Sequence, residues 1–161
     1  LSDSMSEFVL VAMGGTFDII HKGHLTLLSK AFSLSSKVII GLTSDELAEK
    51  RGKKTLNNYE KRFTTLMNTI KTNFPNCAFQ ISKLDNDFGP AVLEENVQAL
   101  IVSDETGNKG EILNQLRAEK NLSPVKIVIV PMTLAQDGNR ISTTRIKNLE
   151  IDVEGNLSSI D

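Results

Sequence analysis

At 161 residues the chain has the size of one domain and is long enough to bury a core of its own. Its 40% hydrophobic and 24% charged residues exclude a disordered or fibrous protein, and its net charge of -2 gives no basic footprint for a nucleic-acid partner. One cysteine, and no apolar run near about 20 residues, predict a cytoplasmic protein with no disulfide, no protein metal site and no membrane association.

The predicted secondary-structure elements alternate along the chain. We expect strands over residues 8–13, 37–42, 77–84, 98–103 and 126–130, and helices over residues 23–35, from 43–46, from 58 and over 109–119. Gly14 and Gly15 predict a tight turn after the first strand. A β-α-β-α-β-α-β-α-β order with continuously apolar strands predicts a five-stranded parallel sheet with helices on both faces.

The segment from Gly14 to His24 is the strongest functional signal, because it follows the first strand and opens the first helix. Ligands of open parallel sheets bind at the carboxyl ends of the strands, and glycines let a backbone approach a phosphate at a helix start. His21 and His24 are three residues apart, so they share one side of the helix, and Gly23 keeps that surface open. The alternative is that the histidines only cap the helix. A zinc site is disfavoured, because the pair has no third ligand arranged with it. The segment predicts a triphosphate site.

A second cluster follows the last strand, from Asp137 to Ile146. Three hydroxyl residues, Ser142 to Thr144, can cap a helix and present donors to phosphate oxygens, and Arg145 adds a bidentate cation. The alternative is an ordinary helix cap followed by a surface arginine. Its place beside the first cluster favours a phosphate site.

A third cluster is the basic loop after the second strand, which contains Lys50, Arg51, Lys53 and Lys54. A run of charge is usually a solvated surface. Its place after a strand allows it to reach across the cleft, so we expect it to neutralise transferred or attacking phosphates.

These motifs resemble those of the HxGH nucleotidyltransferase superfamily, with the signature at His21–His24 and an ISTT-like motif at Ile141–Thr144. Within it the chain resembles phosphopantetheine adenylyltransferases of the archaeal and eukaryotic type. That likeness rests on residues 41–46, 84–91, 102–106, 137–146 and 150–152. The resemblance implies a Rossmann-like fold, and we expect one nucleotidyltransferase domain at residues 5–152 with flexible termini at 1–4 and 153–161.

The resemblance also implies a reaction: ATP and 4′-phosphopantetheine give dephospho-coenzyme A and pyrophosphate by direct in-line attack. Magnesium accompanies the nucleotide, and dephospho-coenzyme A or coenzyme A bind as product-side ligands. The implied catalytic residues are His21, His24, one lysine of the pair Lys53 and Lys54, and Arg145. The implied ATP contacts are Gly14, Gly15, Thr16, Phe17, His21, Gly23, His24, Ser103, Ser142, Thr143, Thr144 and Arg145. The implied acceptor contacts are Thr16, Asp18, Thr43, Lys53, Lys54 and Glu105.

Two other kinds of function stay open at this point. One is another superfamily member, such as a glycerol-phosphate cytidylyltransferase or an FMN or nicotinamide-nucleotide adenylyltransferase, although residues 84–91, 103–106 and 137–146 favour phosphopantetheine. The other is a nucleotide-binding module without turnover. The histidine pair, the basic loop and Arg145 argue against that module.

Overall fold

The structure, a computed structural model, describes residues 7–86, 88–89, 94–103, 109–131, 133–139 and 141–157, with Thr143 and Thr144 described by their backbone only. Its strands are β1 (Phe8–Gly15), β2 (Ser35–Thr43), β3 (Ala78–Leu84), β4 (Ala99–Ser103) and β5 (Lys126–Val130). Its helices are α1 (Lys22–Leu34), α2 (Asp45–Lys50), α3 (Tyr59–Asn73), α4 (Lys109–Glu119) and α5 (Thr143–Lys147).

The five strands form one parallel sheet in the order β3-β2-β1-β4-β5. Strand β1 is central, because it pairs with β2 on one side and with β4 on the other. The chain leaves β1 towards β2 and returns to the far side of β1 as β4. Such a reversal of strand order opens a crevice at the carboxyl ends of the two strands. The predicted five-stranded, Rossmann-like parallel sheet is confirmed.

Helices cover both faces of the sheet. Successive side chains of a strand point to opposite faces, so Val11 and Met13 of β1 lie on one face and Ala12 on the other. The first face packs against α1 and α3, and the second packs against Leu113 of α4. The prediction of helices on both faces is confirmed. Every described helix is too short or too polar to cross a membrane.

Two local predictions are corrected by the structure. Gly14 and Gly15 are not the turn, because β1 continues through them and pairs them with Gly41 and Leu42 of β2. The order of elements is also not strictly alternating. Helices α2 and α3 both lie between β2 and β3, and the described residues between β3 and β4 form no helix.

The segment after α5 packs against the rest of the domain. The Val153 carbonyl accepts a hydrogen bond from the Lys22 N–H at the start of α1 (2.8 Å), and the Gly155 carbonyl accepts one from Gln136 N–H (2.7 Å). Residues 153–157, which we expected in a flexible terminus, therefore make defined contacts with the domain. The other expected terminal residues, 1–4 and 158–161, lie outside the described residues.

The fully buried side chain of Arg62 on α3 joins the segments at the carboxyl edge of the sheet. Its Nη1 donates to the carbonyls of Thr16 (2.9 Å) and Thr43 (2.7 Å), and its Nε donates to the carbonyl of Asn57 (3.0 Å). Its Nη2 pairs with Asp45 Oδ1 at 2.8 Å. One guanidinium thus fixes the ends of two strands and the loop before α3.

Replacing Arg62 with methionine is expected to lower the free energy of unfolding by about 3 kcal/mol, because buried carbonyls and a carboxylate lose their donors. Urea unfolding measures the change. The matched control is Lys61→Met on the exposed side of the same helix, which should leave stability within about 0.5 kcal/mol. Equal stability of the two variants would contradict the role given to Arg62.

Candidate active site

A cavity of about 540 Å³ lies at the carboxyl ends of β1, β4 and β5. It brings together most residues of the three predicted clusters. The predicted site residues in its wall are Gly14, Gly15, Thr16, Phe17, Asp18, His21, Gly23, His24, Lys53, Lys54, Ser103 and Ser142.

The loop after β1 is shaped by a tightly packed aromatic ring. Phe17 is buried and has a φ of 50°, in the left-handed region that non-glycine residues rarely adopt. A Cβ at Gly15 would lie 2.9 Å from the Phe17 ring, so only glycine fits there. The ring of Phe17 contacts the ring of His24, with centroids 4.8 Å apart. The glycine therefore allows the contact that supports His24.

The two histidines form a reciprocal cap at the start of α1. His21 is the N-cap residue, and its Nδ1 accepts the N–H of Gly23 (3.0 Å), while Nδ1 of His24 accepts the N–H of His21 (3.2 Å). The imidazole rings stack with centroids 3.8 Å apart. A Cβ at Gly23 would lie 2.8 Å from Cε1 of His21, so the folded-back ring requires glycine. The histidines cap the helix and line the cavity at once.

The electrostatic environment keeps His24 neutral. Burial, and next the charge of His21, lower its pKa from the ordinary 6.5 to about 3, although a backbone hydrogen bond with Ile19 favours the charged form. Because Nδ1 of His24 accepts a hydrogen bond, its single proton belongs on Nε2. His24 thus offers an N–H donor rather than a positive charge.

Asp18 anchors the loop that carries the lysines. Its buried carboxylate accepts the backbone N–H groups of Leu56 (2.8 Å) and Asn57 (3.0 Å) and pairs with Nζ of Lys147 at 3.0 Å. Burial alone would raise the pKa of this carboxyl, but those hydrogen bonds and the ion pair outweigh it and hold the pKa below its usual value. Asp18 is therefore an ionised internal anchor.

Three lysines stand in the cavity wall. Nζ of Lys53 lies 3.3 Å from Oγ1 of Thr16, and Nζ of Lys147 donates to the carbonyl of Lys54 (2.7 Å). Lys147 was missing from the residues predicted from sequence. Its spacing contained a signal, because it lies four residues after Thr143 and four-residue neighbours share a helix face.

Two predicted site residues do not reach the cavity wall. Thr43 is fully buried, and its Oγ1 donates to the Gly15 carbonyl (3.1 Å). The guanidinium of Arg145 pairs with Asp137 and with Glu150, the latter at 3.1 Å. The remaining predicted contacts, Glu105 and the side chains of Thr143 and Thr144, lie outside what the structure describes.

Comparison with known proteins places this site in a family. The family model described as cytidylyltransferase-like matches residues 12–149. A phosphopantetheine adenylyltransferase of Methanosarcina barkeri is 44% identical over 150 residues, which cover 91% of this chain and 91% of the relative. One of Methanosarcina acetivorans is 40% identical over 150 residues, covering 91% of this chain and 94% of the relative. The chain belongs to the phosphopantetheine adenylyltransferase family. The family predicted from the HxGH and ISTT-like motifs is confirmed.

Solved structures agree with the fold. A protein described as of unknown function from Archaeoglobus fulgidus is 26% identical, with a TM-score of 0.70, and the match covers 84% of this chain and all of that chain. The family match over residues 12–149 includes the second half of β1, the other four strands and every residue named in the cavity wall.

We expect His24 to stay neutral down to about pH 4, because its folded-state pKa of about 3 lies far below 6.5. The unfolded chain binds this proton near pH 6.5 and the folded chain does not. His24 therefore lowers stability as the pH falls from about 6.5 towards 3. Ring ¹H–¹³C spectra over this range test the prediction, with His24→Gln assigning the signal. A His24 signal that titrates near pH 6.5 would show that the prediction is wrong.

Proposed function

We propose that the chain transfers the adenylyl group of ATP to 4′-phosphopantetheine, giving dephospho-coenzyme A and pyrophosphate. The observation that carries the proposal is the stacked pair of His21 and His24 in a cavity wall that also holds three lysines. The substrates are taken from the relatives, which are named phosphopantetheine adenylyltransferases. Dephospho-coenzyme A, and coenzyme A as its close analogue, would occupy the same cavity.

The proposed reaction needs no covalent protein intermediate. A phosphate oxygen of the acceptor attacks the α-phosphorus of ATP and forms a new P–O bond. The bond from that phosphorus to the bridging oxygen breaks in line, and pyrophosphate leaves with the electron pair. Catalysis then consists of positioning the two phosphates and stabilising the charge that develops on their oxygens. In this proposal the Nε2–H of His24 exchanges its hydrogen bond with the Ile19 backbone for one to a phosphate oxygen, and lysines supply positive charge.

The charge balance of the cavity supports two phosphorylated substrates. Lys53, Lys54 and Lys147 provide positive charge, and the one described carboxylate in the wall belongs to Asp18. Lys147 pairs with Asp18 at 3.0 Å, so that carboxylate is neutralised where it would otherwise repel a phosphate. In this proposal Asp18 acts as an anchor for the acceptor side of the cavity.

Magnesium would enter as part of the nucleotide. Among the described residues, no group of three His, Cys, Asp or Glu side chains gathers as metal ligands. The oxygens of Asp18 already accept hydrogen bonds from Leu56 and Asn57. Magnesium commonly retains waters and is held through substrate phosphates, so the phosphates of ATP would be its main ligands. The ion would neutralise part of the triphosphate charge.

Two further expectations remain predictions. The near-neutral net charge predicts no nucleic-acid partner, and the single cysteine predicts a cytoplasmic location. Other acceptors known for this superfamily, glycerol phosphate, FMN and nicotinamide nucleotide, are weaker candidates, because relatives with a 40–44% match carry the phosphopantetheine name.

The purified chain is expected to release pyrophosphate from ATP with magnesium when 4′-phosphopantetheine is the acceptor. A coupled pyrophosphate assay over four nucleoside triphosphates and a panel of phosphorylated acceptors measures it. Reactions without an acceptor are the control for hydrolysis. Turnover of CTP with glycerol 3-phosphate, and none of ATP with phosphopantetheine, would overturn the substrate assignment.

His24→Ala is expected to lower kcat by roughly 10²–10³, because a preorganised donor to the developing charge is lost. The lost cap costs only about 1 kcal/mol of stability, so the protein should stay folded. Steady-state kinetics and thermal unfolding separate the two effects. His24→Gln, which keeps an N–H donor, should retain more activity than His24→Ala. Activity of His24→Ala within about threefold of the wild type would reduce His24 to a helix cap.

A further inference from the structure

We propose that Arg145 is a positioning residue for ATP, acting through Asp137 and Glu150 rather than by contact with phosphate. It would hold the segment 133–147, which forms one wall of the cavity. The inference rests on the proposed function, because it assigns that wall to ATP. It differs from the sequence-based prediction, in which the guanidinium itself bound the phosphates.

The side chain of Arg145 links the segment before α5 to the segment after it. Its Nη1 and Nη2 both contact the carboxylate of Asp137, with Nη1 at 3.2 Å from Oδ1. Its Nε donates to Oε1 of Glu150 at 3.1 Å. Asp137 precedes the helix and Glu150 follows it, and the Arg145 side chain is only 14% exposed. One planar fork therefore fastens the chain before α5 to the chain after it.

Asp137 also closes the turn before α5. Its Oδ1 accepts the N–H of Asn139 (3.0 Å), and the carbonyl of Asn139 accepts the N–H of Ala135 (2.6 Å). The N–H of Ile141 then donates to the carbonyl of Thr133 (3.1 Å). The same carboxylate thus shapes the turn and receives the guanidinium. The residues of this segment in the cavity wall are Thr133, Ile141, Ser142 and Lys147.

The positions of Lys147 and Arg145 on α5 distinguish a residue that can contact phosphate from one that positions the segment. Lys147 is the cation of α5 that reaches the cavity wall, and Arg145 lies two residues earlier on a helix of five residues. A two-residue step turns a helix by more than half a rotation, so the two side chains face apart. Loss of Asp137 would therefore release the segment if Arg145 positions it, but would free the guanidinium for phosphate if Arg145 binds ATP directly.

A double-mutant cycle on the full chain measures which role holds. Isothermal titration gives the affinity for ATP with magnesium of the wild type, Asp137→Asn, Arg145→Met and the double variant. We expect each single variant to bind ATP about five- to tenfold more weakly, and the double variant to bind no more weakly than the worse single variant. The KM for 4′-phosphopantetheine should stay within about twofold, which distinguishes positioning of one wall from general loss of structure.

The matched control is Lys126→Met, which removes one positive charge from an exposed pair with Glu7. That pair lies at the amino ends of the strands, away from the cavity. The variant should bind ATP as the wild type does. Thermal unfolding is recorded for every variant. If Arg145→Met does not fold, the ATP affinity of Asp137→Asn decides alone: weaker binding supports positioning, and equal or tighter binding contradicts it.

Three results would overturn the proposal. ATP binding by Asp137→Asn that is equal to or tighter than wild type would assign Arg145 to phosphate or to neither role. Additive losses in the double variant would make the two residues independent. Unchanged ATP affinity in Arg145→Met would leave only a stabilising ion pair. A wild type that binds ATP but releases no pyrophosphate would instead refute the proposed reaction, and the binding cycle would still decide the role of Arg145.

Discussion

Four acceptors from three segments converge on the buried guanidinium of Arg62. Thr16 directly follows β1 and Thr43 ends β2, while Asp45 begins α2 and Asn57 lies in the loop before α3. Removing a charge from water is costly, and a buried arginine is stable only when hydrogen bonds and a counter-charge offset that cost. Its planar fork of donors can satisfy several acceptors in fixed directions, which a lysine cannot. Arg62 therefore fixes the carboxyl edge of the sheet, on which the cavity is built.

The bonds of Arg62 continue into the cavity wall. The carbonyl of Asn57 accepts from Arg62, and the N–H of Asn57 donates to Asp18. Asp18 pairs with Lys147, whose Nζ also donates to the carbonyl of Lys54. A connected network thus runs from α3 under the cavity to α5 and to the basic loop. Charged groups held in place in this way need little reorganisation when charge develops on a substrate, and that is the basis of electrostatic catalysis.

Local signals in the sequence were sufficient for the elements but not for the directions of side chains. The bounds of α4 and β5 were predicted correctly, because continuous apolar or helical spacing marks them. Two adjacent glycines predict a turn at Gly14 and Gly15, but pairing with β2 extends the strand through them. The motif around Arg145 identified a segment that lines the cavity, but not which of its cations faces the cavity. The partners of Asp18 are 38 and 39 residues away at Leu56 and Asn57, a distance over which a single sequence carries no pairing signal.

The histidine pair shows why capping and catalysis need not be alternatives. A helix start leaves N–H groups without partners inside the helix, and His21 and His24 satisfy two of them with their Nδ1 atoms. That use of Nδ1 fixes the tautomer of His24 and leaves its proton on Nε2. Burial, and next the charge of the stacked His21, lower the pKa of His24, so the pair supplies direction rather than charge. Positive charge then has to come from other side chains, and the lysines of the basic loop and of α5 line the same cavity. In the proposed reaction the imidazole would supply a directed donor and the ammonium groups would supply charge to the phosphates.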